Sequence, residues 1–177
     1  MAAPMAREVV EQCSVVAIAA MDGNSIPMVY RYRNTYDSWL WELPAGLLDA
    51  AGEPPYLNTV CGLKEEVGLQ VSIWQVLVDF NTAPGLSDES VRIYLATGLS
   101  EVARPEAHDD EEADMTMLRP PIDETVRRVF SGEIVNFIAI VGILAAHAVT
   151  TEFVQSRSLN SQWIDKQTVL AARKVTQ

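Results

Sequence analysis

Glu65 and Glu66 stand side by side, with Gly62 one helical turn before Glu66 and Gly68 just beyond. Upstream lies Gly46-Leu-Leu-Asp-Ala-Ala-Gly-Glu53, a stretch bounded by glycine turns, and seven residues separate Glu53 from Cys61. Clustered carboxylates cost free energy unless a cation neutralises them. Two at this spacing make an oxygen site suited to Mg²⁺ or Mn²⁺, ions that keep waters and share phosphate oxygens. The ordinary alternative for an adjacent glutamate pair is a solvated acidic face. A glycine loop leading into such a helix suits a divalent ion held against a diphosphate.

The element that must position these carboxylates is a short helix. Pro54-Pro55 supplies a start, because first-turn amides have no intrahelical partner to lose, and Gly68 supplies an end. Tyr56, Val60, Leu63 and Val67 recur at helical spacing and predict a core-facing stripe. Asn58, Gly62, Glu65 and Glu66 then fall on the opposite side. Around this helix the pattern predicts strands over Cys13 to Met21 and Ile26 to Arg33, joined by a tight turn at Met21-Asp22-Gly23-Asn24. Further strands are expected over Leu40 to Leu43, Val71 to Phe80, Val91 to Thr97 and Asp114 to Leu118. Ile122 to Phe130 and Ile134 to His147 read as helices, and the segment after Thr150 as a polar tail. The expected class is α/β, a mixed sheet between helical layers.

Length and composition fit one domain over residues 1–177: 49% of residues are hydrophobic and 21% charged. A net charge of −11 argues against sequence-independent nucleic-acid binding, which needs a basic face. An acidic protein meets phosphorylated substrates most simply through bound cations. Cys13 and Cys61 make no disulfide framework, and His108 and His147 offer little for histidine-centred catalysis. The apolar run Ile134 to Val149 is broken by Asn136, Gly142 and His147. It falls short of the ~20 residues that span a bilayer and reads as a buried helix. Met1 to Arg7 lacks the apolar stretch of a signal peptide. The expectation is a cytoplasmic protein without a membrane segment.

The segment Gly46 to Leu69 resembles the Nudix box, carried here by Gly46, Glu53 with its spacing to position 61, Leu63, Glu65, Glu66, Gly68 and Leu69. Trp41-Glu42-Leu43-Pro44-Ala45-Gly46, Tyr32-Arg33 and Pro84-Gly85-Leu86-Ser87-Asp88-Glu89 resemble the ADP-ribose pyrophosphatase branch, and the similarity runs from Arg7 to Thr150. The resemblance implies an α/β/α sandwich and Mg²⁺- or Mn²⁺-dependent hydrolysis of ADP-ribose or a related nucleoside diphosphate sugar. The products would be AMP and a sugar phosphate. It places Glu66 at a principal metal-ligand position, Glu65 at a supporting one, and the Ala45 carbonyl as a main-chain ligand. A later acidic loop would orient or deprotonate the attacking water; within Asp109-Asp110-Glu111-Glu112 the candidates are Glu112 and Glu111. Arg33 is suited to a phosphate, and Glu42, Glu89 and the neighbouring Ser87 to polar substrate groups. Each also has an ordinary reading: Arg33 ends a strand, Glu42 sits in a surface ion pair, and Ser87-Asp88-Glu89 caps a turn.

Two positions depart from the pattern. Cys61 stands where the motif has an arginine, and cysteine cannot supply that permanently charged planar fork. Gly62 stands where the motif has a glutamate, removing an oxygen ligand and weakening the helix by ~1 kcal/mol relative to alanine. A second function class therefore stands beside the first: a catalytically decayed Nudix-fold protein that binds nucleotide without cleaving it. The match starts near Arg7, so the amino-terminal strands usual in this branch are expected to be missing. A homodimer is compatible with the branch.

Overall fold

The computed structural model describes residues 8–49, 54–103 and 116–167, apart from the side chains at positions 58, 61, 62, 65 and 66. The strands are β1 (Val15–Ala20), β2 (Met28–Arg33), β3 (Ser38–Glu42), β4 (Ala45–Leu47), β5 (Leu69–Asn81), β6 (Ser90–Glu101), β7 (Thr116–Leu118) and β8 (Arg157–Ser158). The helices are α1 (Pro55–Val67), α2 (Ile122–Phe130) and α3 (Phe137–Thr150). A five-stranded sheet runs in the order β4-β1-β6-β5-β8, and a three-stranded one in the order β3-β2-β7. Because β1 and β6 are parallel while the other pairs are antiparallel, the central sheet is mixed.

The sheet is buried on both faces, which explains why β1 reads as an unbroken apolar run rather than an alternating one. Val15, Ala17, Ala19, Val91, Ile93 and Leu95 pack against Ala139, Ile143 and Ala146 of α3. On the other face, Ile18, Ala20 and Ala96 meet Leu63 and Val67 of α1. The result is an α/β/α sandwich. Helix α3 approaches the sheet closely at Gly142, where a Cβ would lie 2.4 Å from Leu43 Cδ1 and 3.1 Å from Ile93 Cδ1.

Helix α1 starts and stops where its sequence says. Pro54 precedes it, and Gly68 ends it at φ 65°, donating its amide to the Lys64 carbonyl at 3.1 Å. Glycine occupies this left-handed position without the steric cost that a Cβ brings. The tight turn after β1 is also present, with Asp22 and Ser25 exchanging backbone bonds at 2.9 and 3.0 Å. Its strands do not pair with each other, however. β1 enters the central sheet, whereas β2 pairs with β3 and β7. Helix α3 begins at Phe137, three residues later than the expected Ile134, because Asn136 caps it by accepting the Ala139 amide at 3.0 Å.

The segment after Thr150 differs most from expectation. Residues 151–167 form a strap across the α1 face of the sheet. Trp163 is buried beside Val16, Val76 and Tyr94, and β8 pairs with Gln75 and Val76 of β5. A bulge between Val76 and Val78 shifts the alternation of β5, so that Asp79 reaches Arg92 on β6. Arg92 Nε and Nη2 donate to the two Asp79 oxygens at 2.7 and 2.9 Å, and Arg157 Nη2 adds a third bond at 2.9 Å. Burial opposes the Arg92 charge, yet hydrogen bonding and proximity to Asp79 outweigh it and hold the guanidinium above its ordinary value.

Candidate active site

Strands β2 and β3 sort their side chains by alternation. Tyr30, Tyr32, Trp39 and Trp41 share one face, where Tyr30 sits 4.5 Å from Trp41 and 5.4 Å from Trp39 between ring centroids. The opposite face carries Arg31, Arg33 and Glu42. Asp37 closes the hairpin turn in the left-handed region at φ 50° and accepts the Tyr32 hydroxyl. The aromatic ladder thus stiffens the hairpin that holds the two arginines over the sheet.

Glu42 is buried at 5% exposure. Arg33 Nε donates to its Oε1 at 2.9 Å and Nη2 to its Oε2 at 2.6 Å. Asn136 Nδ2 adds a bond to Oε1 at 3.2 Å. Asn136 therefore serves twice, capping α3 and fixing a carboxylate on β3. Arg31, Arg33, Glu42, Ala45, Gly46 and Asn136 line one cavity of about 320 Å³. The sequence nominated three of these as site residues: Arg33, Glu42 and Ala45. Glu42 stands in an ion pair, as its ordinary reading had it, but in a buried one, and both its oxygens are taken.

Ala45 lies on β4, the edge strand of the sheet. Ile18 donates to the Pro44 carbonyl at 2.9 Å and Leu48 to the Ser14 carbonyl at 2.8 Å. Alternation between those bonded positions turns the Ala45 carbonyl away from β1, off the sheet edge. A main-chain oxygen so directed is a hard donor suited to Mg²⁺ or Mn²⁺. Helix α1 packs on β1, β4 and β5 and carries positions 65 and 66 in its last turn. The side chains of Glu65, Glu66 and Cys61 lie outside the described residues, as do Glu53 and the acidic run with Glu111 and Glu112. Among the described residues no three acidic, histidine or cysteine side chains converge as a metal cluster.

Ser87 and Glu89 are placed elsewhere. Ser87 Oγ accepts the Glu89 amide at 3.1 Å and closes the loop between β5 and β6. Ser87 also lines a separate cavity of about 560 Å³ with Glu8, Asp88, Asp165 and Gln167. Glu89 is half-buried and lines neither cavity. Sequence reasoning missed Arg31 and Asn136 in the cavity with Arg33. The signal for Arg31 was present in the Tyr-Arg-Tyr-Arg alternation, which puts both arginines on one face. The signal for Asn136 was its cap position ahead of an apolar helix.

No protein-family model matches the chain. It is 68% identical over 169 residues to the ADP-ribose pyrophosphatase of Mycobacterium tuberculosis (strain ATCC 25618 / H37Rv), covering 95% of this chain and 81% of that protein. It is 31% identical over 129 residues to the ADP-ribose pyrophosphatase of Bacillus subtilis (strain 168), covering 72% and 69%. The methanol dehydrogenase activator of Bacillus methanolicus is 30% identical over 138 residues, covering 77% and 74%. Among solved structures, an ADP compounds hydrolase shares the fold with a TM-score of 0.68 and 18% identity, over 79% of this chain and 74% of that one. No helix among the described residues is long and apolar enough to cross a membrane.

Proposed function

The chain belongs to the Nudix hydrolase family, in its ADP-ribose pyrophosphatase-like branch, and from that premise we propose that it hydrolyses the diphosphate of ADP-ribose or a closely related nucleoside diphosphate sugar. The observation that carries this reading is the shared cavity. It is lined by Ala45 of the edge strand together with Arg31, Arg33 and the buried Glu42. Water attacks one phosphorus and a bond of the diphosphate bridge breaks. The water proton passes to a carboxylate, and the products are AMP and ribose 5-phosphate.

The Ala45 carbonyl, Glu66 and Glu65 would hold Mg²⁺ or Mn²⁺, which would supply charge neutralisation at the diphosphate and a more acidic water. Arg33 is 39% exposed at the side chain while its partner Glu42 is 6% exposed. The arginine thus meets the diphosphate, and Glu42 acts through it as a positioning residue. Asn136 holds Glu42 in turn. Glu112, with Glu111 beside it, is assigned the water-orienting role. Ser87 and Glu89 lie outside this cavity, so any polar contact they make is to a part of the substrate away from the diphosphate. The Cys61 and Gly62 positions favour a second reading, nucleotide binding without turnover.

Incubation with ADP-ribose and Mg²⁺ or Mn²⁺, with AMP as the readout, separates the two readings. Turnover well above that of a Glu66→Gln control supports hydrolysis. Calorimetric binding with no turnover supports the decayed reading, and absence of both sinks the substrate assignment. Restoring the box with Cys61→Arg and Gly62→Glu should raise metal affinity and hydrolysis together. An unimproved double variant would count against the assignment of the metal ligands.

A further inference from the structure

We propose that the carboxy-terminal strap is the floor of the glycine loop, and that Trp163 and Ser14 are positioning residues for the metal and diphosphate site. The proposal rests on the hydrolase reading for its consequence, but its geometry stands apart from it. Leu48 is two residues beyond Gly46 and only 5% exposed, while its neighbour Leu47 is 57% exposed. Among the described residues of the loop, Leu48 is the side chain that anchors it to the core. It shares one buried cluster with Val16, Val76, Tyr94 and Trp163, and Tyr56 of α1 packs against that cluster. Trp163 therefore supports both the loop and the first turn of the helix that follows.

The backbone is held through the same segment. Ser14 accepts the Leu48 amide on its carbonyl at 2.8 Å. Its hydroxyl accepts the Gln167 amide at 3.0 Å and donates to the Gln167 carbonyl at 3.1 Å. Ser90 Oγ lies 2.9 Å from Ser14 Oγ and also accepts from Gln167. One fully buried residue thus grips the loop on one side and the strap on the other. Trp163 is itself fixed, with Arg92 Cζ 4.9 Å from its ring centre and Arg92 Nη1 donating to Ser161 O at 2.9 Å.

Strand β4 is three residues long and paired on one side only, so the buried Leu48 side chain sets the height of the loop's start over the sheet. A displacement of ~1 Å at a reacting centre costs on the order of 10²-fold in rate. Removing the indole lets Leu48 sink and the Ala45 carbonyl move with it. The indole Nε1 has no acceptor among the described residues, so the ring's shape matters rather than its N–H. Phenylalanine should replace it.

Full-length Trp163→Ala and Trp163→Phe are compared with the parent by amide exchange at Leu48 and by titration with Mn²⁺ alone. The expected result for Trp163→Ala is about tenfold faster exchange at Leu48 and about tenfold weaker Mn²⁺ half-saturation. Trp163→Phe should restore both. At saturating Mn²⁺, the KM for ADP-ribose should move by less than about twofold while kcat falls. If Trp163→Ala does not fold, Ser14→Ala, which keeps the Leu48 bond but releases Gln167, should shift the same two readouts in the same direction. A lower melting temperature with unchanged Leu48 exchange and Mn²⁺ half-saturation would overturn the proposal. A parent that neither binds Mn²⁺ nor hydrolyses ADP-ribose would sink the hydrolase reading instead, and Leu48 exchange would still decide the role of the strap.

Discussion

At the cleft, Arg33 donates to Glu42 through Nε and Nη2; beneath the strap, Arg92 donates to Asp79 through the same two nitrogens. The forks match in chemistry and differ in which partner is buried. In the first, the carboxylate is 6% exposed and the arginine 39%; in the second, the arginine is 4% exposed and the carboxylate 20%. The more exposed member decides what each fork can still meet. The cleft turns a cation toward a cavity, which suits an anion. The strap's fork turns a carboxylate outward, and the chain itself fills that position with Arg157. One pair lines a cavity, and the other is closed by Arg157 of the strap.

Replacing the buried-arginine fork's acceptor should have the largest effect on stability. Asp79→Ala leaves Arg92 as an uncompensated buried charge and should lower unfolding free energy by about 3–5 kcal/mol, read from urea denaturation midpoints. A loss below about 1 kcal/mol would be typical of an exposed ion pair and would erase the contrast between the forks. Glu42→Gln should do the reverse. It should reduce kcat/KM by about tenfold to a hundredfold, or roughly 1.4–2.7 kcal/mol of transition-state stabilisation, and cost less than Asp79→Ala in stability. If its denaturation midpoint falls as far as that of Asp79→Ala, both forks are structural. Asn136→Ala should be the mildest, costing about 1 kcal/mol through the lost helix cap. Steady-state kinetics should show a change in the same direction as Glu42→Gln but smaller.

Features set by local chemistry were legible in the chain. Pro55 and Gly68 bracket α1 because each acts within a turn of itself, and α2 spans Ile122–Phe130, the segment expected to be a helix. Strand partnership was not legible at the Asp22–Ser25 turn. A tight turn fixes a change of direction, and long-range packing of β1 against β6 and of β2 against β7 decided the sheets. The strap was hidden for a different reason. Its composition is polar, and its one large core residue, Trp163, gains its place from Arg92 and Asp79 far back in the chain. Arg33 and Glu42 were nominated from their positions flanking the loop. That they bind each other follows from the pairing of β2 with β3, and that Asn136 joins Glu42 depends on α3 starting beside β3.

The two-residue β8 has a consequence for solubility. It lies against the middle of β5, a strand of 13 residues that would otherwise form the flank of the central sheet. Long open flanks recruit strands from other molecules, whereas very short terminal strands resist such addition. A chain cut after Thr150 would present the backbone of Gln75 and Val76 to its neighbours, and the expected outcome is precipitation well before any loss of the helices.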